Sequence, residues 1–150
     1  MKRLVLAVAT LAGLVAAGPA AAQFQKPEDA IKYRKAAFTV MASHFGRVAA
    51  MANGKVPFDA AAAQANADIV ATLSKLPFTA FIDGTSSGDT KAKPEIWTEQ
   101  DKFKAAAAKM NDEVAKLNVA AKSGNIDQIK AAVGDVGKSC KACHDSYRKE

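Results

Sequence analysis

The sequence predicts an all-α protein, an antiparallel up-down-up-down four-helix bundle. Three observations predict it. Alanine is abundant, and glycine and proline sit between periodic stretches rather than within them. Apolar residues recur at spacings of three, four and seven, the period of a helix face, and no alternating run of strand type occurs. The first and third connections are short, which makes successive helices antiparallel neighbours.

The first segment is an address. Met1-Lys2-Arg3 is basic, Leu4 to Val15 is uncharged and apolar, and Ala16 to Ala22 is rich in small residues. This pattern predicts a secretory signal peptide over residues 1–22, cleaved after Ala22. The competing reading is an N-terminal anchor, but the apolar core is short for a span and the A-x-A end argues for removal. Residues 23–150 are then one exported domain, expected in the periplasm, with no later stretch apolar enough to enter a membrane. Removing Lys2 and Arg3 lowers the net charge from +6 to +4. No basic run is interleaved with aromatics, which argues against nucleic acid. The residual positive charge suits an acidic redox partner.

The first helix is expected from about Pro27 to Ala52. Proline suits the first turn, Glu28 and Asp29 complement the dipole, and Asn53-Gly54 is a stop signal. Its core stripe is Ile31, Phe38 and Phe45, with Met41 and Val48 beside it. A second stripe of Tyr33, Ala37, Val40, His44 and Met51 implies a second neighbour, possible as another subunit. The second helix is expected from about Asp59 to Leu76, with Ile69, Leu73 and Leu76 inward, and Pro77 ending it. A long connection, Pro77 to Lys93, follows. Its first half (Phe78, Phe81, Ile82) is too apolar for a solvated linker and is expected over something flat and apolar; its Gly/Ser half is expected to be exposed. The third helix is expected from Pro94-Glu95 to about Ser123, with Gly124 just past its end. In the fourth, Asn125 is the N-cap and Gln128 completes a capping-box pattern. Ile126, Ile129, Val133, Val136, Cys140, Cys143 and Tyr147 form its unbroken 3-4 stripe.

On that stripe lies Cys140-Lys141-Ala142-Cys143-His144. C-x-x-C-H is the attachment signature of a c-type haem. The two thiols add across two vinyl groups, and the adjacent imidazole ligates the iron. Residues i, i+3 and i+4 share one helix side, so the three groups converge on one object. That makes one covalent haem c near the C-terminal end, with Phe78 and Phe81 as cofactor contacts. A thioredoxin-like pair would need a βαβ surround, which is not visible. A zinc site would need four ligands, for which His44 is the one other histidine and is oddly spaced. A disulfide remains open in an exported chain.

Several stretches resemble one family. A C-x-x-C-H near the C-terminus of an exported four-helix chain is similar to cytochrome c′, the high-spin class II c-type cytochromes. Pro27 to Arg34, Met41 to Arg47, Pro94 to Trp97 and Gly134 to Arg148 resemble that family's first, third and haem-bearing helices. The resemblance implies thioether bonds at Cys140 and Cys143 and His144 as the axial iron ligand. It implies five-coordinate iron that binds nitric oxide and carbon monoxide but disfavours dioxygen, a distal face closed by a first-helix side chain, and a homodimer packed through the first helix. Arg34 matches a residue near the haem propionates, and Lys35 and Asp89 match positions approaching the haem edge. Arg148 matches an arginine by the proximal pocket; a solvated C-terminal arginine favoured by the dipole is the other reading.

Phe38 stands where the family often has leucine. Over the iron, its larger ring would obstruct the distal side further; it is otherwise ordinary core. Met41, one turn on, offers the alternative of a low-spin His/Met electron-transfer cytochrome. His44 lies about 240° around the helix from Phe38, which favours a surface or dimer role. An enzyme would need a proton donor beside the bound ligand, and none is evident, so the expected function is ligand binding and electron transfer.

Overall fold

The computed structural model describes residues 23–150; the expected signal peptide lies outside them. Five helices run in chain order: α1 (Pro27–Ala52), α2 (Ala60–Leu73), a short α3 (Glu95–Thr98), α4 (Gln100–Ser123) and α5 (Ile126–Tyr147). α1, α2, α4 and α5 form the antiparallel four-helix bundle. α1 packs on α2 and α5, α2 on α4, and α4 on α5.

The caps follow the local chemistry. Asp59 Oδ accepts from the Ala62 N–H at 2.9 Å and starts α2. Gly124, with φ 68°, ends α4 in the left-handed region that a side chain would resist. Asn125 Oδ1 accepts from the Asp127 and Gln128 N–H groups at 3.0 and 3.1 Å. The expected reciprocal half of that capping box does not form. The Asn125 N–H donates to Ser123 Oγ instead, and Gln128 Oε1 accepts from the same hydroxyl. The chain reverses at Gly124, which brings the preceding serine within 3.2 Å of both groups.

Two boundaries differ from expectation. α2 stops at Leu73, and Leu76–Ala80 is a turn of 3₁₀ helix. Pro77 has no N–H to donate and disfavours α backbone before it, so the tighter turn takes over early. The inward face of α2 is also rotated: Ala63, Ala67 and Val70 are buried, whereas Ile69 and Leu76 are exposed. Small alanines let α2 approach its neighbours closely, and that decides the face over the bulkier residues. The expected third helix is broken at Glu99, whose φ of −121° and ψ of 46° separate α3 from α4. Trp97 Nε1 donates to the Ile82 carbonyl at 3.1 Å, tying the short helix to the long connection rather than to the axis of α4.

The core has two parts. The main cluster runs through the bundle and includes Met41, Val48, Val70, Val114, Leu117, Ile129, Val133 and Val136. A smaller one of Ala92, Ile96, Phe103 and Tyr147 lies under the long connection. Cys140 packs on the first and Cys143 on the second, while Phe78 touches both. The C-x-x-C-H motif therefore sits at the seam between the two.

Candidate haem site

The site is built on the last turns of α5. Ile129, Val133 and Val136 are buried, and continuing their 3-4 rhythm carries Cys140 and Cys143 to the same inward face, half-buried. Both thiols are free, so the disulfide reading is not realised. Burial pushes each thiol above its ordinary pKa, and they are neutral thiols at neutral pH. Burial, and then the charge of Arg148, push His144 below its ordinary value. A neutral imidazole keeps the lone pair that ligation requires.

Facing the cysteines is a continuous wall of rings. Phe38 meets Phe78 edge-on with centroids 5.8 Å apart, and Phe81 at 6.5 Å. Phe78 and Phe81 stack at 6.3 Å, Phe81 meets Phe103 at 5.0 Å, and Phe103 meets Tyr147 at 5.2 Å. The wall runs from α1 to α5. Two thiols, a neutral imidazole and an apolar wall of rings fit a haem: sulfur for two vinyl groups, nitrogen for iron, hydrocarbon for the macrocycle. The zinc reading finds no support. Among the described residues, no group of three or more His, Cys, Asp or Glu converges on one point. His44 is engaged elsewhere. Asn66 Nδ2 donates to the Ala62 carbonyl at 2.7 Å, which turns Oδ1 towards His44 Nδ1–H at 2.8 Å.

The other residues singled out in the sequence converge on the connection. Arg34 is buried, 2% exposed, on the same face of α1 as Phe38. Its two terminal nitrogens donate to the Ala80 carbonyl, the Thr85 hydroxyl and carbonyl, and the Thr90 hydroxyl, at 2.7 to 3.0 Å. Those donors reach the loop. The guanidinium also lies 4.4 Å over the Phe81 ring. Lys35 pairs with Asp89 at 2.6 Å, an exposed contact that pins the Gly/Ser half to α1 and holds the Asp89 carboxyl below its usual range. The far end is tied to α5: Lys93 N–H donates to the Tyr147 carbonyl and Lys149 N–H to the Lys91 carbonyl, an antiparallel bridge between Ala92 and Arg148. That bridge fixes the backbone of Arg148, whose side chain is exposed. Met41 is buried in the main core.

Sequence reasoning missed Thr85, Thr90 and the backbone bridge. Thr85 is fully buried within the stretch expected to be exposed, whereas Ser86, Ser87, Gly88 and Asp89 are exposed as anticipated. A threonine in a Gly/Ser-rich loop carries no signal of its own; the long-range partner, Arg34, gives it one.

The comparisons with known proteins agree with this geometry. A family model described as Cytochrome C' matches residues 29–148. The cytochrome c' of Rubrivivax gelatinosus is 57% identical over 129 residues, covering 85% of this chain and all of the relative. That of Alcaligenes xylosoxydans xylosoxydans is 52% identical over 128 residues, covering 85% and 99%. The Rubrivivax gelatinosus crystal structure superposes with a TM-score of 0.83 at 58% identity, covering 85% of this chain and all of that one. A nitric oxide complex of a leucine-to-alanine mutant of the Alcaligenes xylosoxidans protein gives 0.81 at 51% identity, covering 85% and 99%. A four-helix chain carrying the haem c signature at the end of its last helix, and matched over nearly all of its described length, belongs to the cytochrome c′ family.

Proposed function

We propose that this chain is a periplasmic haem c protein whose iron is five-coordinate, held by His144 alone among protein ligands. It takes up nitric oxide and carbon monoxide on the open side and passes electrons between partners as Fe(III)/Fe(II). Cys140 and Cys143 are the thioether attachments. The observation that carries this reading is the ring wall around Phe38. Phe38, Phe78 and Phe81 offer no hydrogen bond to a bound diatomic. Dioxygen bound to iron carries partial negative charge and depends on such a bond; nitric oxide and carbon monoxide depend on it far less. The same rings supply no proton, which supports binding and electron transfer over an enzyme.

The place of Met41 supports five-coordination over the His/Met alternative, because it is buried as a member of the main core cluster. Nitric oxide complexes are known for the related Alcaligenes xylosoxidans protein, including a ferrous arginine-to-lysine variant. Arg148, one turn beyond His144, is the basic group nearest the proximal side in this reading, and Lys35 and Asp89 border the haem edge. The export pattern of residues 1–22 supports the compartment. Among the described residues, no helix is long and apolar enough to cross a membrane. A homodimer through α1 is part of the proposal, resting on exposed Val40 and Ile69.

The visible spectrum of the reduced protein tests the centre. A broad high-spin band is expected; sharp split low-spin bands would mean a sixth ligand and return Met41 to the iron.

A further inference from the structure

Helix α1 ends at Asn53-Gly54, and that dipeptide carries a chemistry of its own. Of the asparagines in the chain only Asn53 precedes a glycine; Asn66, Asn111, Asn118 and Asn125 precede Ala67, Asp112, Val119 and Ile126. A backbone nitrogen can attack the side-chain carbonyl of a preceding asparagine. The new bond joins Gly54 N to Asn53 Cγ, the Cγ–Nδ2 bond breaks, and the nitrogen leaves as ammonia with the proton that Gly54 gave up. Water then opens the five-membered imide, leaving aspartate or its β-linked isomer. A side chain on the following residue obstructs the attack, and glycine has none. Asn53 and Gly54 are both exposed, so water and base reach them.

The folded turn withholds the reaction. Asn53 has ψ 7°, which sets the Gly54 nitrogen beside the Asn53 nitrogen and away from Cβ. That nitrogen is also occupied, its N–H donating to the Met51 carbonyl at 3.1 Å. On either side, the Asn53 N–H donates to the Ala49 carbonyl at 3.0 Å and the Lys55 N–H to the Ala50 carbonyl at 2.9 Å. Gly54, with φ 69°, closes the turn in the left-handed region. The imide ring therefore closes only when the turn opens and ψ of Asn53 rotates. Helix ends are where such opening is least costly.

The products do not restore the turn. Aspartate sets a negative charge at the negative end of the α1 dipole, where the last turn holds no basic residue. The β-linked isomer adds a carbon to the backbone, which takes the Gly54 and Lys55 N–H groups out of register with the Met51 and Ala50 carbonyls. We propose that Asn53 is a site of spontaneous deamidation, gated by the last turn of α1, and that the reaction loosens the junction of α1 and α2 irreversibly. The groove beside this junction is lined by Ile126 and Lys130 at the start of α5, far along that helix from Cys140 and Cys143.

The test incubates the holoprotein and a synthetic peptide of residues 50–57 side by side at mildly alkaline pH. Peptide mapping by mass spectrometry follows the gain of one mass unit, with α- and β-linked products separated by chromatography. The holoprotein is expected to convert at Asn53 about ten- to a hundredfold more slowly than the peptide. Ala50→Gly loosens the last turn without touching the dipeptide, and is expected to convert about fivefold faster than the parent. Asn53→Gln is expected to lose the gain in this segment. A gain that persists in Asn53→Gln, or that comes first at another asparagine, overturns the site. Conversion of the holoprotein at the peptide's rate, or of Ala50→Gly at the parent's rate, overturns the gate. A holoprotein with no gain after about a hundred peptide half-times overturns the proposal as a whole.

Discussion

The ring of Phe38 stands perpendicular to that of Phe78, centroids 5.8 Å apart, so a residue of α1 and a residue of the long connection share one edge-to-face contact. The contact locks the Phe38 ring from the side. A leucine at that position could swing about its χ angles, whereas a ring braced by Phe78 and Phe81 has little room to move.

Replacing Phe38 with alanine should therefore separate access from fold. Carbon monoxide association with the ferrous protein, followed by flash photolysis, is expected to accelerate about tenfold, equivalent to about 1.4 kcal/mol of barrier. The half-buried ring also packs the core, so stability should fall by about 2 to 3 kcal/mol. An association rate equal to the parent's would remove Phe38 from the ligand path.

The cysteines make a covalent prediction. Cys140 and Cys143 contact different core clusters, yet both are free thiols on one face of α5. Each single serine variant should retain haem through the remaining thioether under denaturing electrophoresis. The double variant Cys140→Ser/Cys143→Ser should release it entirely to acid–acetone extraction. Haem staining of the denatured double variant would show that attachment lies elsewhere.

Glu113 bears on stability, not on the site. It is buried on α4 with Lys109 and Lys116 donating to the same carboxylate oxygen. Those hydrogen bonds, that of Lys109 first, hold its carboxyl below the ordinary value. A carboxyl depressed in the folded state stabilises the fold above its unfolded pKa, and that contribution is lost as pH falls through the folded value. Glu113→Gln should lower the melting temperature at pH 7, and the difference should shrink as the pH is taken down below the ordinary glutamate range. Parallel melting curves for parent and variant over that range would show that the three side chains contribute nothing net.

Much of this was legible from the sequence because it is periodic or local. The α5 stripe places Cys140, Cys143 and Tyr147 by arithmetic alone, and Asn125 and Gly124 announce a boundary through their own backbone chemistry. The face of α2 was not legible. Ile69 and Leu76 outrank Ala63 and Ala67 in hydrophobicity, but close helix approach rewards small side chains, and only the assembled bundle shows which face must approach. Nor could Arg34 be placed from its own neighbourhood. Its partners Thr85 and Thr90 lie 51 and 56 residues away, and a buried guanidinium needs the loop to exist first. The fold turns the terminal nitrogens of Arg34 onto the connection.

The same rotation of α2 leads to the last prediction. His44 on α1 and Asn66 on α2 are hydrogen-bonded at 2.8 Å, fixing the register of the two antiparallel helices. One turn from His44 stands Val40, 46% exposed; one turn from Asn66 stands Ile69, 38% exposed. Antiparallel packing sets these two on the same side of the hydrogen bond, an apolar pair on the outer surface of α1 and α2. A monomer gains nothing from them there, whereas a second copy would bury them against their own equivalents about a two-fold axis. Val40→Glu would set two like charges against each other across that axis, and should convert a dimer into a monomer in sedimentation velocity at micromolar concentration. The reduced spectrum should be unchanged, because Val40 lies off the ring wall. A parent that already sediments as a monomer, or a variant that still sediments as a dimer, would move the interface away from this face.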